Sequence, residues 1–209
     1  MEKNFSFVVA IVIGATFFSS IAFAAVPFYE GKTIRIVVGL SAGGGYDLWA
    51  RLIARHFGKY IPGRPTVIVE NMTGAGGLIA TNYIYKATKP DGLTIGHPSG
   101  LTFMNQLFEK PGVEFDARKF EYIGAPYQDD NVVFTTKRSG ITSVDKWINA
   151  KTPVKFGGEA PGAGFSDITP RILATALGFP TKVVLGYKGT SEAKLAADSG
   201  ELDGICLGW

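Results

Sequence analysis

Three glycine stretches, Gly43-Gly44-Gly45, Gly74-Ala75-Gly76-Gly77 and Gly162-Ala163-Gly164, each follow an apolar, β-branched run and precede a segment of helical period. Backbone N–H groups at a helix start have no intrahelical partner and lie at the positive end of the helix dipole, so such loops hold anions without a lysine or arginine. Glycine keeps the ligand's path to the backbone open. No dinucleotide fingerprint is completed, because Ile79 and Asp167 stand where its last glycine belongs, and there is no Walker sequence. For any single loop the alternative is a tight strand-to-helix turn.

A competing chemistry is nucleophilic. Gly39-Leu40-Ser41-Ala42-Gly43 is a formal G-x-S-x-G between a strand and a helix, the place of a nucleophile elbow, and a serine hydrolase using Ser41 is the alternative it raises. The partners are poor: the two histidines are His56, a surface position in the following helix, and His97, in a loop, and little chain precedes Ser41 to build an oxyanion strand. The expectation is a protein that binds and does not catalyse. Two histidines without a Cys or carboxylate cluster imply no metal site and no cofactor. Asp129 and Asp130 are adjacent, point apart, and read as a solvated turn.

These loops need elements to position them. Strands are expected over 34–40, 67–69, 93–96, 132–134, 154–156, 182–185 and 203–207. Helix faces are expected at Leu48, Leu52, Ile53 and Phe57, at Ile79, Tyr83 and Ala87, and at Ile168, Ile172, Leu173 and Ala176, with another helix over 191–199. Thr142-Ser143-Val144-Asp145 resembles a capping box opening a helix through Trp147 and Ile148. The alternation is that of α/β units with parallel strands. The polar stretch within 121–131 marks a crossing between two sheets, giving a first lobe over 25–127 and a second over 128–209.

Composition narrows the partners. With 46% hydrophobic and 19% charged residues and a mean hydropathy of +0.16, the chain is a packed globular protein and not a disordered one. A net charge of +3, from 21 basic and 18 acidic residues, is too small and scattered for a phosphate-backbone ligand, so no nucleic acid is expected. Residues 5–26 carry no charge, follow Lys3 and include Ala22-Phe23-Ala24, the small residues a signal peptidase needs. Residues 1–24 read as a cleaved export signal, with a permanent anchor as the alternative. The lone Cys206 allows no internal disulfide and reads as a small buried hydrophobe. With no cysteine near the cleavage site, a lipid anchor is not expected.

Along Ile34-Arg35-Ile36-Val37-Val38, Gly43-Gly44-Gly45-Tyr46-Asp47 and Val69-Glu70-Asn71-Met72-Thr73-Gly74-Ala75-Gly76-Gly77 the sequence resembles the tripartite tricarboxylate transporter substrate-binding proteins, the Bug receptors. The likeness runs on through Pro90-Asp91-Gly92-Leu93-Thr94, Gly162-Ala163-Gly164-Phe165-Ser166, Gly186-Tyr187-Lys188-Gly189-Thr190 and Gly200-Glu201-Leu202-Asp203, nearly all of the mature chain.

The resemblance implies a two-lobed periplasmic-binding-protein fold of type II whose loops close over a small organic carboxylate. It also implies a monomeric periplasmic receptor that delivers this ligand to integral membrane subunits of a tripartite tricarboxylate-type transporter; a ligand-sensing accessory protein is the other role. Carried over by position, the ligand-binding residues are Leu40, Ser41, Ala42, Gly43, Gly44, Tyr46 and Asp47, then Asn71, Gly74, Ala75 and Gly76, then Ser99 near the lobe crossing. The second lobe adds Gly162, Ala163, Gly164, Phe165, Ser166 and Asp167, with Gly189 and Thr190. Ser41-Ala42 stands where the family commonly has Pro-Pro, Tyr46 where Thr is usual, Met72 for Arg and Phe165 for Ser; the two aromatic rings and the lost polar residue make the cleft less polar and an apolar or aromatic acid more expected than a tricarboxylate, the alternative being that Tyr46, Met72 and Phe165 pack between loop and helix. Against the family's usual length, the resemblance further implies either a truncated C-terminus, with an incomplete second lobe, no return to the first and marginal stability for 25–209, or a lobe completed otherwise.

Overall fold

The β-branched runs become strands and the segments after the glycines become helices. The computed structural model describes residues 26–128, 130–162 and 164–208; the expected export signal, Asp129 and Ala163 lie outside these. Two sheets follow one another along the chain.

The first sheet has the order β2-β1-β3, all parallel, from β1 (Thr33–Val38), β2 (Thr66–Asn71) and β3 (Thr94–His97). Helices α1 (Gly45–Phe57), α2 (Leu78–Ala87) and α3 (Gly100–Leu107) follow these strands in turn. The second sheet has the order β4-β7-β5-β6, from β4 (Asn131–Thr135), β5 (Val154–Gly158), β6 (Thr181–Leu185) and β7 (Gly204–Gly208). Its helices are α4 (Val144–Ile148), α5 (Phe165–Leu177) and α6 (Thr190–Ser199).

β5 pairs in parallel with β6 and β7, as expected of βαβ units, but β4 runs antiparallel to β7. That strand enters from the crossing segment and not from a preceding βαβ unit, so nothing obliges it to run parallel. Helix α3 is a second difference: its eight residues, with Ser99 as N-cap, are short and follow β3 without a run of glycines to announce them.

Packing also departs from the expected face of α1. Leu48 and Leu52 are exposed, whereas Ala50 is buried and Ile53 and Ala54 pack on Ile36 and Val38. Small residues let the helix lie close to the sheet, and the buried Asp47 fixes its rotation through the contacts described below. Likewise Leu173 of α5 packs inward while Ile172 is exposed. In the second sheet Val154, Phe156, Trp147 and Cys206 form one cluster, with the Trp147 and Phe156 rings 5.0 Å apart. Ser143 caps α4, its hydroxyl accepting from the Lys146 N–H at 3.3 Å, as the capping signal predicts.

Cys206 is 1% exposed and burial pushes its thiol up to about 12, so it is a packed hydrophobe as expected. A thiol reagent at neutral pH is expected to leave the native protein unlabelled and to modify one thiol per chain after denaturation. Rapid labelling of the native protein would show that this cluster opens readily.

Candidate functional site: the loops at the strand ends

Register brings the loops together. Val38 aligns with Asn71 on one side and His97 on the other, so the chain leaves β1, β2 and β3 at one common carboxyl edge. Gly158 aligns with Leu185, so the loops after β5 and β6 also leave side by side. Open parallel sheets present ligand sites at such edges.

The helices starting there share an unusual feature. Their N-caps are Gly44 for α1, Gly77 for α2, Ser99 for α3, Gly164 for α5 and Gly189 for α6, and none of these makes a side-chain capping hydrogen bond. Helix α4, away from these loops, has an ordinary serine cap. Uncapped N-termini gathered at one edge leave N–H groups and dipole ends available to an anion.

The loop before α2 is strained in a way that serves this use. Gly74, Ala75, Gly76 and Gly77 have φ of 137°, 46°, 63° and 91°. Four consecutive positive φ values, one on an alanine, fold the backbone into a tight turn closed by the Gly77 N–H donating to the Gly74 carbonyl at 3.0 Å, and the N–H groups before it can serve as a concave nest. Gly39 must be glycine for a neighbouring reason, since a Cβ there would stand 2.8 Å from the Gly77 Cα, where the two loops meet backbone to backbone. The buried Thr81 and Thr102 back the nest, donating to the Gly77 carbonyl at 3.0 Å and the Gly76 carbonyl at 3.5 Å.

Asp47 ties this lobe's loops together. It is 1% exposed, and its carboxylate accepts the Gly43 N–H at 2.8 Å, the Arg51 guanidinium at 2.8 Å and the Asn71 amide at 3.0 Å. Asn71 also donates to the Leu40 carbonyl at 3.0 Å. Burial pushes the Asp47 carboxyl upward, but Arg51, the Gly43 N–H and Asn71 outweigh it and hold the group below the usual aspartate range.

The second lobe repeats the device. Asp167, also 1% exposed, accepts the Gly162 N–H at 2.5 Å and Arg171 at 2.5 Å. Asp47 and Asp167 thus shape loops through backbone N–H groups. Ser166 donates to Glu159, which stands just after β5.

The two lobes touch through these loops. The Ser41 N–H donates to the Lys188 carbonyl at 3.2 Å, the Ser41 and Ser191 hydroxyls lie 2.9 Å apart, and Ser191 donates to the Ala42 carbonyl at 3.1 Å. A Cβ on Gly44 would lie 3.0 Å from the Thr190 Oγ1, and one on Gly189 would collide with the Ser41 hydroxyl. Elsewhere, Lys110 donates to the Pro161 carbonyl at 2.9 Å, and Trp49 of α1 stacks on Tyr127 with centroids 4.7 Å apart.

The expected site residues therefore fall into groups. Ser41 and Gly44 approach Gly189 and Thr190 across the lobes and Ala42 accepts from Ser191, while Leu40 and Gly43 are tied to Asn71 and Asp47 within the first lobe, whose second loop carries Gly74, Ala75 and Gly76. Ser99 is buried just after β3, as the N-cap of α3. Gly162, Gly164, Phe165, Ser166 and Asp167 shape the β5–α5 loop. Tyr46 packs on the Ile36, Val38 and Ala50 cluster with its ring 5.3 Å from His97.

His97 closes β3 instead of lying in a loop, and its Nδ1 is buried without a hydrogen-bond partner. Burial holds the imidazole below the usual histidine range, with the Tyr46 backbone opposing. Sequence reasoning missed Glu159, Lys188, Ser191 and Lys110. Glu159 and Lys110 belong to no motif of their own, and Lys188 and Ser191 adjoin the Gly186–Thr190 stretch, in which glycine carries the visible signal.

Ser41, the elbow serine, has another serine and not a base as its hydroxyl partner, and His56 lies exposed on α1 near Lys59. Among the described residues no group of three or more His, Cys, Asp and Glu side chains is placed to hold a metal ion, and no helix is long and apolar enough to cross a membrane. Two shallow depressions, of about 200 and 320 Å³, contain no residue of these loops.

Two α/β lobes meeting through strand-end loops define the two-lobed fold of periplasmic binding proteins. Known structures agree: MatC from Rhodopseudomonas palustris, solved with malate, matches at a TM-score of 0.70 with 21% identity over 85% of this chain and 60% of that one. An adipate-bound R. palustris protein matches at 0.64 with 19% identity over 86% and 60%. Residues 50–207 match the model of the tripartite tricarboxylate transporter family receptors, and the chain belongs to that family. A UPF0065 protein of Agrobacterium vitis, from the TAR-I ttuE–ttuC' intergenic region, is 32% identical over 210 residues, 95% of this chain and 57% of that protein. The chain thus spans little more than half the length of this relative.

Proposed function

We propose that this protein is an exported, monomeric periplasmic receptor that takes a small organic carboxylate between its lobes, without catalysis, and delivers it to the integral membrane subunits of a tripartite tricarboxylate-type transporter. The observation that carries this reading is the gathering of uncapped glycine N-termini at facing strand ends, beside the contact of Ser41 with Lys188 and Ser191. Charge-assisted hydrogen bonds from backbone N–H groups to a carboxylate are about twice as strong as neutral ones, so an acid gains most there. The malate and adipate held by structural relatives belong to the same chemical class. Met72 and Phe165, half-buried beside the loops, favour an apolar midsection.

Residues 1–24 serve as the cleaved signal in this reading, and the lobes divide at 127/128. Calorimetric titration with citrate, succinate, glutamate, benzoate and terephthalate tests the ligand class. At least one acid is expected to bind in the micromolar range, about −8 kcal/mol. Tight citrate binding would remove the apolar midsection, and silence from every acid beside binding of an amine or sugar would overturn the carboxylate reading.

A further inference from the structure

Both lobes spend one loop N–H on a buried aspartate, Gly43 on Asp47 and Gly162 on Asp167, and they differ in what else lines the loop. The first-lobe nest at 74–77 has the backbone form of an anion donor. The second-lobe loop 159–167 has much of its donor capacity already taken: the Gly162 N–H goes to Asp167 and the Ser166 hydroxyl to Glu159. A Cβ on Gly164, the N-cap of α5, would meet the Glu159 Oε2 at 3.1 Å. The protein's own carboxylate therefore stands at the start of α5, where the dipole would otherwise receive an anion from outside.

Glu159 lies between two segments that reach the first lobe. Its carbonyl accepts the Gly186 N–H at 3.1 Å, fixing it beside the 186–191 loop whose Lys188 and Ser191 meet Ser41. On its other side Pro161 accepts from Lys110 of the first lobe at 2.9 Å. Glu159 is thus flanked by two bridges between the lobes. Of the charged groups nearby, Arg171 is bound to Asp167 and Lys110 to a backbone carbonyl, so neither pairs with Glu159 in the contacts described. Burial raises its carboxyl above the usual range, Ser166 opposes this, and Asp167 adds to it. A carboxylate in that position gains from a further hydrogen-bond donor.

We infer that Glu159 is a specificity residue: it turns the second-lobe wall into an acceptor and selects acids that carry a hydrogen-bond donor, a hydroxyl or an ammonium, at the end away from their carboxylate. This rests on the carboxylate reading of the cleft and goes further, because a wall made only of glycine N–H groups would favour a second carboxylate instead. A site built to accept from a ligand donor rejects the analogue that lacks it, since the buried acceptor is then left unpaired.

The test uses matched acids, 4-aminobutyrate and 4-hydroxybutyrate against pentanoate, in which a methyl replaces the donor. The native protein is expected to bind at least one of the donor acids about tenfold more tightly than pentanoate. Glu159→Gln, close in size, is expected to reduce that ratio severalfold. A thermal melt shows whether Glu159→Gln is folded, and its affinity for pentanoate, which offers Glu159 no donor, is expected to stay within about twofold of native, so a damaged fold is told apart from a lost preference. Binding of all three acids with equal affinity in the native protein, or a preference unchanged by Glu159→Gln, would overturn this inference and leave the receptor reading standing. Failure of every acid here and of the five in the wider panel would overturn both.

Discussion

Asp47→Ala is expected to lower stability by about 2 kcal/mol, from the loss of hydrogen bonds to a charged acceptor, and to weaken carboxylate binding at the same time. The magnitude comes from the backbone and not from the ion pair. Arg51 is half exposed, so its attraction to Asp47 is screened and contributes little. The Gly43 N–H and the Asn71 amide, by contrast, lose their acceptor in a partly buried setting. For a protein of this size 2 kcal/mol corresponds to a fall of about 4–8 °C in melting temperature.

The pH dependence has a definite sign. Because the folded Asp47 carboxyl lies below its usual range, its stabilisation is fully present above that range and is lost as pH falls through the folded value. The advantage of the native protein over Asp47→Asn should therefore shrink on acidification, as read by melts at neutral and acid pH. A constant difference would show that the carboxylate's charge plays no part.

Gly189→Ala should do the opposite, sparing stability and abolishing function. The backbone at Gly189 is extended, with φ of 163°, which any residue adopts, so the second lobe should fold unchanged. The added methyl, however, collides with the Ser41 hydroxyl and lies 3.0 Å from the Ser41 nitrogen. The lobes must then separate where Ser41 meets Lys188 and Ser191. A carboxylate that needs both lobes is expected to bind ~100-fold more weakly, about 2.7 kcal/mol, with the melting temperature within about 2 °C of native. Unchanged affinity would mean that the ligand is held by one lobe alone.

The units with a buried strand, a glycine turn and an amphipathic helix were legible in the sequence because each is a local pattern: a β-branched run, residues free to take positive φ, and a helical period. This holds for β1 with α1, β2 with α2 and β5 with α5. The orientation of α1 was not legible, because the side facing the sheet is set by the small Ala50 and by the Asp47 network, which hydropathy does not register. The antiparallel β4 depends on where the chain arrives from, a tertiary fact. Glycine loops announced the first-lobe anion nest, whereas Glu159 acquires meaning only when folding brings it to the start of α5. The resemblance to the receptor family, confirmed by the family match, came from the order of these same loops.

If backbone N–H groups from both lobes hold one carboxylate, amide ¹H–¹⁵N spectra recorded during titration with the tightest-binding acid of the panel will report it residue by residue. The amides of Gly74–Gly77 in the first lobe and of Gly189 and Thr190 in the second are expected to shift together and to saturate at the same ligand concentration. Shifts confined to one lobe, or centred on residues away from these loops, would contradict it.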